Sequence, residues 1–62
     1  MAITKEEIIE QCDTAIAGYT TLLNEALADG DMDVDADKVK CLSNITNIIR
    51  ATSVKEYAEA NL

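Results

Sequence analysis

Apolar side chains in the first half of this chain recur at alternating spacings of four and three residues. The positions with this spacing are Ile8, Cys12, Ala15, Tyr19, Leu22 and Ala26, with Ile9, Ile16, Leu23 and Leu27 beside them. At about 100° of rotation per residue they cover an arc of roughly 140° on an α-helix, which is wide enough to pack against a core. The pattern therefore predicts an amphipathic first helix.

Residues with capping properties mark both ends of that helix. Thr4 and Glu7 match a capping box, and Ile3 and Ile8 stand where a hydrophobic staple would bracket it. At the other end, Gly30 can adopt the left-handed conformation that terminates a helix. We therefore predict helix 1 at about residues 5–28.

A second apolar face follows a run of alternating aspartates. Its members are Cys41, Leu42, Ile45, Ile48 and Ile49. They cover about 120° of a helical wheel. Asp33 or Asp35 is positioned to cap this helix, and the other acids lie near the positive end of its dipole. These features predict an acidic loop at about 29–35 and helix 2 at about 36–51.

The C-terminal residues do not continue that face. If helix 2 continued, Val54 and Tyr57 would fall on the side opposite the isoleucines. Ser53 and Glu56 match a second capping box, so we place a break near Thr52–Ser53 and a short third helix at about 54–60. The predicted fold is all-α: a single domain over residues 1–62, built as an antiparallel helical hairpin with a short third C-terminal helix.

A chain of 62 residues has room for only a small core. It buries about 60% of its unfolded surface, so its stability depends on disulfides, a structural metal, oligomerisation or very regular packing. With no histidine and only Cys12 and Cys41, the ligands for a structural zinc site are missing. In an antiparallel hairpin the two cysteines would lie about 16 Å apart along the axis, beyond the ~7 Å reach of a disulfide. We predict that both are small buried hydrophobes.

Acidic residues are concentrated between the two helices. The formal net charge is −7, and five of the twelve acids fall within nine residues: Asp29, Asp31, Asp33, Asp35 and Asp37. Alternating carboxylates between helices suggest a calcium loop, but Val34 and Lys40 stand where an EF-hand requires glycine and glutamate. The first interpretation is a solvated loop that caps helix 2, and weak calcium binding is the alternative.

The composition argues against catalysis and against several classes of partner. A histidine base, a Gly-rich phosphate loop and an activated serine or cysteine motif are all missing, so we predict no enzyme, no cofactor and no metal site. The acidic charge disfavours direct contact with nucleic acid or with an anionic membrane. No apolar run reaches the ~18 residues of a spanning helix or resembles a secretion signal. We expect a protein of the cytoplasm or of an assembled particle, which is not secreted.

Long stretches of both helices carry no charge. Eleven residues from Thr14 to Asn24 and nine from Cys41 to Ile49 are uncharged, although free-standing helices normally present Lys and Glu to solvent. The outer side of helix 1 presents small residues that would allow another backbone to approach: Thr14, Ala17, Gly18 and Thr21. These residues could pack against the third helix of the same chain or form a neutral surface that contacts only solvent. Alternatively, they dock another subunit, with Val39 and Tyr57 extending the contact surface.

Three functional hypotheses follow from these features. The first is a non-enzymatic interaction or structural subunit that self-associates or docks onto a larger assembly, as a small viral or mobile-element accessory protein would. The second is an acidic decoy that occupies the basic surface of a nucleic-acid-binding protein. The third is a weakly calcium-responsive helix-loop-helix module.

Overall fold

The structure, a computed structural model that describes residues 2–62, consists of two long helices packed side by side. Helix α1 spans Lys5–Asp29 and helix α2 spans Asp35–Asn61, and together they form a hairpin of 45 × 16 × 15 Å. Over these residues there is no strand, and neither helix is long and apolar enough to cross a membrane. The predicted all-α helical hairpin is confirmed.

The N-terminus of α1 is capped as predicted. The Thr4 hydroxyl oxygen accepts a hydrogen bond from the Glu7 backbone N–H at 3.2 Å, and the hydroxyl donates to the Glu7 carboxylate at 3.1 Å. This arrangement satisfies one of the backbone N–H groups that have no partner within the helix. Glu6 and Glu7 lie in the first turn, where the helix dipole favours negative charge.

Gly30 ends α1 in a different way from the one predicted. Its backbone is extended, with φ −85° and ψ 162°, and is not left-handed. Its N–H donates to the Ala26 carbonyl oxygen at 2.7 Å, and a Cβ at this position would overlap that same oxygen. Glycine is therefore required for the close approach of the chain to the last turn of α1, and not for a positive φ.

The aspartates between the helices organise the loop and do not cap α2. The N-cap is Val34, which makes no capping hydrogen bond, so the prediction of Asp33 or Asp35 as the cap is wrong. The Asp31 backbone N–H donates to the Asp37 carboxylate at 3.0 Å, and the Asp33 N–H donates to the Asp31 carboxylate at 2.9 Å. Carboxylates commonly stabilise turns by bonding the nearby backbone in this way.

Helix α2 continues through the position where the sequence predicts a break. The backbone stays helical at Thr52 and Ser53, so residues 54–60 form the last turns of α2 and not a separate third helix. The predicted break assumed that Val54 and Tyr57 require burial, but they are 51% and 63% exposed. No proline or glycine lies between 35 and 61, so the backbone hydrogen bonds of the helix are not interrupted.

A narrow seam of mostly small side chains joins the two helices. Only Cys12, Cys41 and Ala58 are buried among residues 2–62, and both thiols are free, as expected for small core residues. The α2 positions that are at least partly buried are Asp37, Cys41, Asn44, Asn47, Ile48, Ala51, Thr52, Lys55 and Ala58. All of them except Asn47 and Thr52 follow the four-three spacing of a coiled coil. Small side chains allow the helices to approach closely, but over residues 2–62 no large side chain is fully buried.

Two lysines make contacts at the end of the hairpin remote from the loop. The Lys55 Nζ lies 2.7 Å from the Asp13 carboxylate, and the Lys5 Nζ donates to the Glu59 carbonyl oxygen at 3.2 Å. The hydrogen bond to Asp13 and the charge of its carboxylate raise the pKa of Lys55. Exposed ion pairs contribute little to stability. These contacts therefore mainly align the helices at their free ends.

Candidate interaction surface

The small residues identified on α1 lie on its outer side. Thr14, Ala17, Gly18 and Thr21, which we call the small-residue stripe, are all exposed. A Cβ at Gly18 would have no neighbour within 4 Å, and the Thr21 hydroxyl donates to the Ala17 carbonyl oxygen at 3.1 Å. Within residues 2–62 there is no third helix that could cover the small-residue stripe. Docking of a partner on it stays a prediction.

Val39 and Tyr57 lie on a different part of the surface from that stripe. Their exposed fractions are 60% and 63%. They are five helical turns apart, so they share one side of α2, about 160° from the buried Cys41. The small-residue stripe likewise lies on the side of α1 away from its buried Cys12. The structure therefore places the two sets on opposite outer sides and does not bring them together.

A row of large apolar side chains on α2, assigned to the core from the sequence, is left at the surface. Leu42, Ile45 and Ile49 are 51%, 41% and 60% exposed, whereas Cys41 is buried and Ile48 partly buried at the seam. The predicted apolar face of α2 is thus two adjacent rows. Only one of them packs on α1, because a two-helix seam covers a narrow arc of each helix.

Charged and polar residues flank that exposed row at both ends. The whole set, which we call the α2 stripe, is Lys38, Leu42, Ile45, Ile49, Thr52 and Glu56. Spacings of four, three, four, three and four residues keep it within an arc of about 80° on one side of α2. Thr52 is partly buried and the other five residues are exposed. The apolar centre therefore lies between one positive and one negative side chain.

Helix α1 contributes apolar residues to the same side of the hairpin. Shallow grooves on the other side are lined by Gln11, Ala15 and Leu22 of α1 with Ser43, Ala51 and Val54 of α2. Ile16 and Leu23 directly follow Ala15 and Leu22, so each is rotated by about 100° from the grooves toward the α2 stripe. Both are partly buried. The stripe is therefore part of a broader apolar side formed by both helices.

Two long uncharged segments lie in the middle of the hairpin, one on each helix, next to Arg50 of α2. The uncharged segments Thr14–Asn24 and Cys41–Ile49 lie between the Asp13–Lys55 contact and the acidic loop. Large exposed apolar groups without charges among them are typical of a surface that contacts another protein.

The loop aspartates form hydrogen bonds with their own backbone. Those of Asp31 and Asp37 connect the loop to the first turn of α2. Within residues 2–62, no group of three or more histidine, cysteine, aspartate or glutamate side chains is arranged to hold a metal ion. The Asp31 and Asp37 carboxylates therefore stabilise the backbone of the loop.

We expect Gly18→Ala to stabilise the isolated hairpin by about 0.5–1 kcal/mol, because glycine loses more backbone entropy in a helix than alanine does. The added methyl group would meet no neighbour within 4 Å. Urea denaturation at low protein concentration, followed by circular dichroism, measures the change, with Ser43→Ala as the control for an exposed helical position. A loss of stability would contradict the open surroundings of Gly18 on the isolated hairpin.

No protein-family model, curated protein or solved structure matches this chain.

Proposed function

We propose that this chain is a non-enzymatic helical subunit that packs against protein, either a second copy of itself or the surface of a larger assembly. The supporting observation is how little the hairpin buries: Cys12, Cys41 and Ala58 alone among residues 2–62, none of them large. Domains of this size generally need support beyond their own core. A partner packed on the exposed apolar side chains would supply it.

The accessible surface of the chain supports the same proposal. It measures 4644 Å², whereas a compact monomer of 6.7 kDa exposes about 3,900 Å². The excess of about 700 Å² is close to the ~800 Å² that each partner buries in a specific protein interface. Two helices without a third layer expose this extra area because each is covered on only one side.

The proposed setting is the cytoplasm or an assembled particle, where a small accessory subunit would meet its partner. A helix-packing contact depends on apolar burial and responds weakly to salt. An acidic decoy bound through Asp29–Asp37 would instead lose affinity steeply with rising ionic strength. The salt dependence of binding therefore separates these two modes of action.

We expect the melting temperature to rise with protein concentration, because a partner that binds only the folded chain stabilises it by mass action. Light scattering gives the molar mass over about a hundredfold range of concentration, and circular dichroism gives the melting curve of each sample. The same samples at low and high salt are the control for electrostatic association. A stably folded monomer that melts independently of concentration and also takes up no protein from its native source would contradict the proposal.

A further inference from the structure

The residue spacings within the α2 stripe are four, three, four, three and four, so the pattern is identical when it is read from either end of the helix. Lys38 and Glu56 are each nine residues from Asn47, and Ile45 and Ile49 are each two residues from it. A twofold axis at the level of Asn47 would therefore place Ile45 on Ile49 of the other copy at the centre, and Leu42 on Thr52 one step further out. Interfaces between two identical chains are self-complementary in this way.

We infer that a second copy of this chain packs on the α2 stripe, with the two α2 helices antiparallel. The inference depends on the proposed function and specifies its partner, its surface and its orientation. Ile45 of each copy lies against Ile49 of the other, and the apolar side chains on the same side of α1 extend the contact. The result is a four-helix bundle made of two hairpins, an arrangement that packs antiparallel helices around a shared core.

The charges at the ends of the stripe select the antiparallel orientation. Lys38 and Glu56 are five turns apart, or about 27 Å, so they occupy the same angular position on α2. In an antiparallel pair, Lys38 of each copy faces Glu56 of the other at both ends of the contact. In a parallel pair, lysine would face lysine and glutamate would face glutamate, which disfavours association.

The acidic loops favour the same orientation. Each copy has a net charge of −7, and five of its acids lie between Asp29 and Asp37 at one end of the hairpin. Antiparallel pairing places the two loops at opposite ends of a hairpin 45 Å long. This separation is several times the Debye length of about 8 Å at physiological ionic strength, so salt screens the repulsion between the loops. Parallel pairing would place them side by side. The stripe itself carries one positive and one negative charge, so its surface is neutral.

The first test substitutes an apolar residue at the centre of the stripe. We expect Ile49→Asp to raise the dimer dissociation constant at least about a hundredfold, because each dimer would lose two packed isoleucines and bury two carboxylates. Val54→Asp is the matched control, since Val54 is also a half-exposed apolar residue of α2, at 51%, but lies off the stripe, and it leaves the constant within about threefold. Analytical ultracentrifugation measures the constant, and circular dichroism checks that each variant is helical.

The second test exchanges the end charges and does not depend on the apolar centre. Lys38→Glu and Glu56→Lys each weaken the dimer by about tenfold at low salt, because each change replaces two attractive pairs by two repulsive ones. The double variant restores the wild-type constant to within about threefold. Lys40→Glu, an exposed lysine outside the stripe, is the control for net charge. A double variant as weak as the single variants overturns the antiparallel arrangement.

Three further outcomes separate this inference from the proposed function. Assembly that persists in Ile49→Asp but is lost in Gly18→Leu overturns the inference and supports a contact through the small-residue stripe. A monomeric chain that binds a different protein also overturns it, while the proposed function holds. A stably folded monomer with no partner and no dependence of melting on concentration overturns both.

Discussion

Cys41→Asp is expected to unfold the hairpin at room temperature. Cys41 is 5% exposed and lies at the seam within the uncharged segment of α2. An unpaired carboxylate moved out of water at such a site costs several kcal/mol. Because a domain of this length has about 3–9 kcal/mol of stability in total, we expect most of the helical circular dichroism signal to be lost near neutral pH.

The matched control for this variant is Ser43→Asp, which adds the same charge two residues away at an exposed position. We expect it to change the free energy of unfolding by less than about 0.5 kcal/mol. Burial raises the pKa of an introduced carboxyl in the folded state, so the charge defect of Cys41→Asp is full above that raised pKa. It is relieved as the pH falls through the raised pKa and is gone below the unfolded pKa of about 3.9. Equal helicity of the two variants at neutral pH would contradict the burial of Cys41.

The native thiols are expected to react with a thiol reagent only when the hairpin opens. Cys12 and Cys41 are free, and they are 7% and 5% exposed. If labelling requires unfolding, a stability of about 3–9 kcal/mol slows it by a factor of about 10² to 10⁶ relative to the denatured chain. Mass spectrometry after timed labelling measures the rate of each thiol separately.

An exposed cysteine introduced on α2 is the control for that experiment. Ser43→Cys is expected to react at close to the rate of an unfolded peptide, because position 43 is exposed. Wild-type thiols that react as fast as this cysteine would show that the seam between the helices is open in solution. Protection that increases with protein concentration would further link the seam to self-association.

The sequence predicts the hairpin well because its signals are local. Thr4 and Glu7 define the start of α1, and the four-three spacing of apolar residues defines its inner side. The continuity of α2 through Ser53 was not predictable in the same way. A serine three residues before a glutamate is common on a helix surface, and whether it acts as a cap depends on whether Val54 and Tyr57 have to be buried. In this fold neither is buried.

The candidate surface was only partly predictable, for a related reason. The spacing of apolar residues identifies an apolar arc on α2. It does not determine how much of that arc a single neighbouring helix covers. Cys41 and Ile48 lie at the seam, while Leu42, Ile45 and Ile49 remain exposed. Similarly, the sequence shows that Gly18 and Val39 avoid the core, but only the pairing of the helices shows that they lie on opposite sides.

The single connection between the helices determines how the hairpin opens and closes. Contacts near the acidic loop join residues close in sequence, whereas the Lys5–Glu59 contact at the other end joins residues 54 positions apart. Closing a short segment loses less chain entropy than closing a long one. We therefore expect the hairpin to close from the loop toward the Lys5–Glu59 contact and to open in the reverse direction, so that backbone amides near that contact lose their protection against hydrogen exchange first.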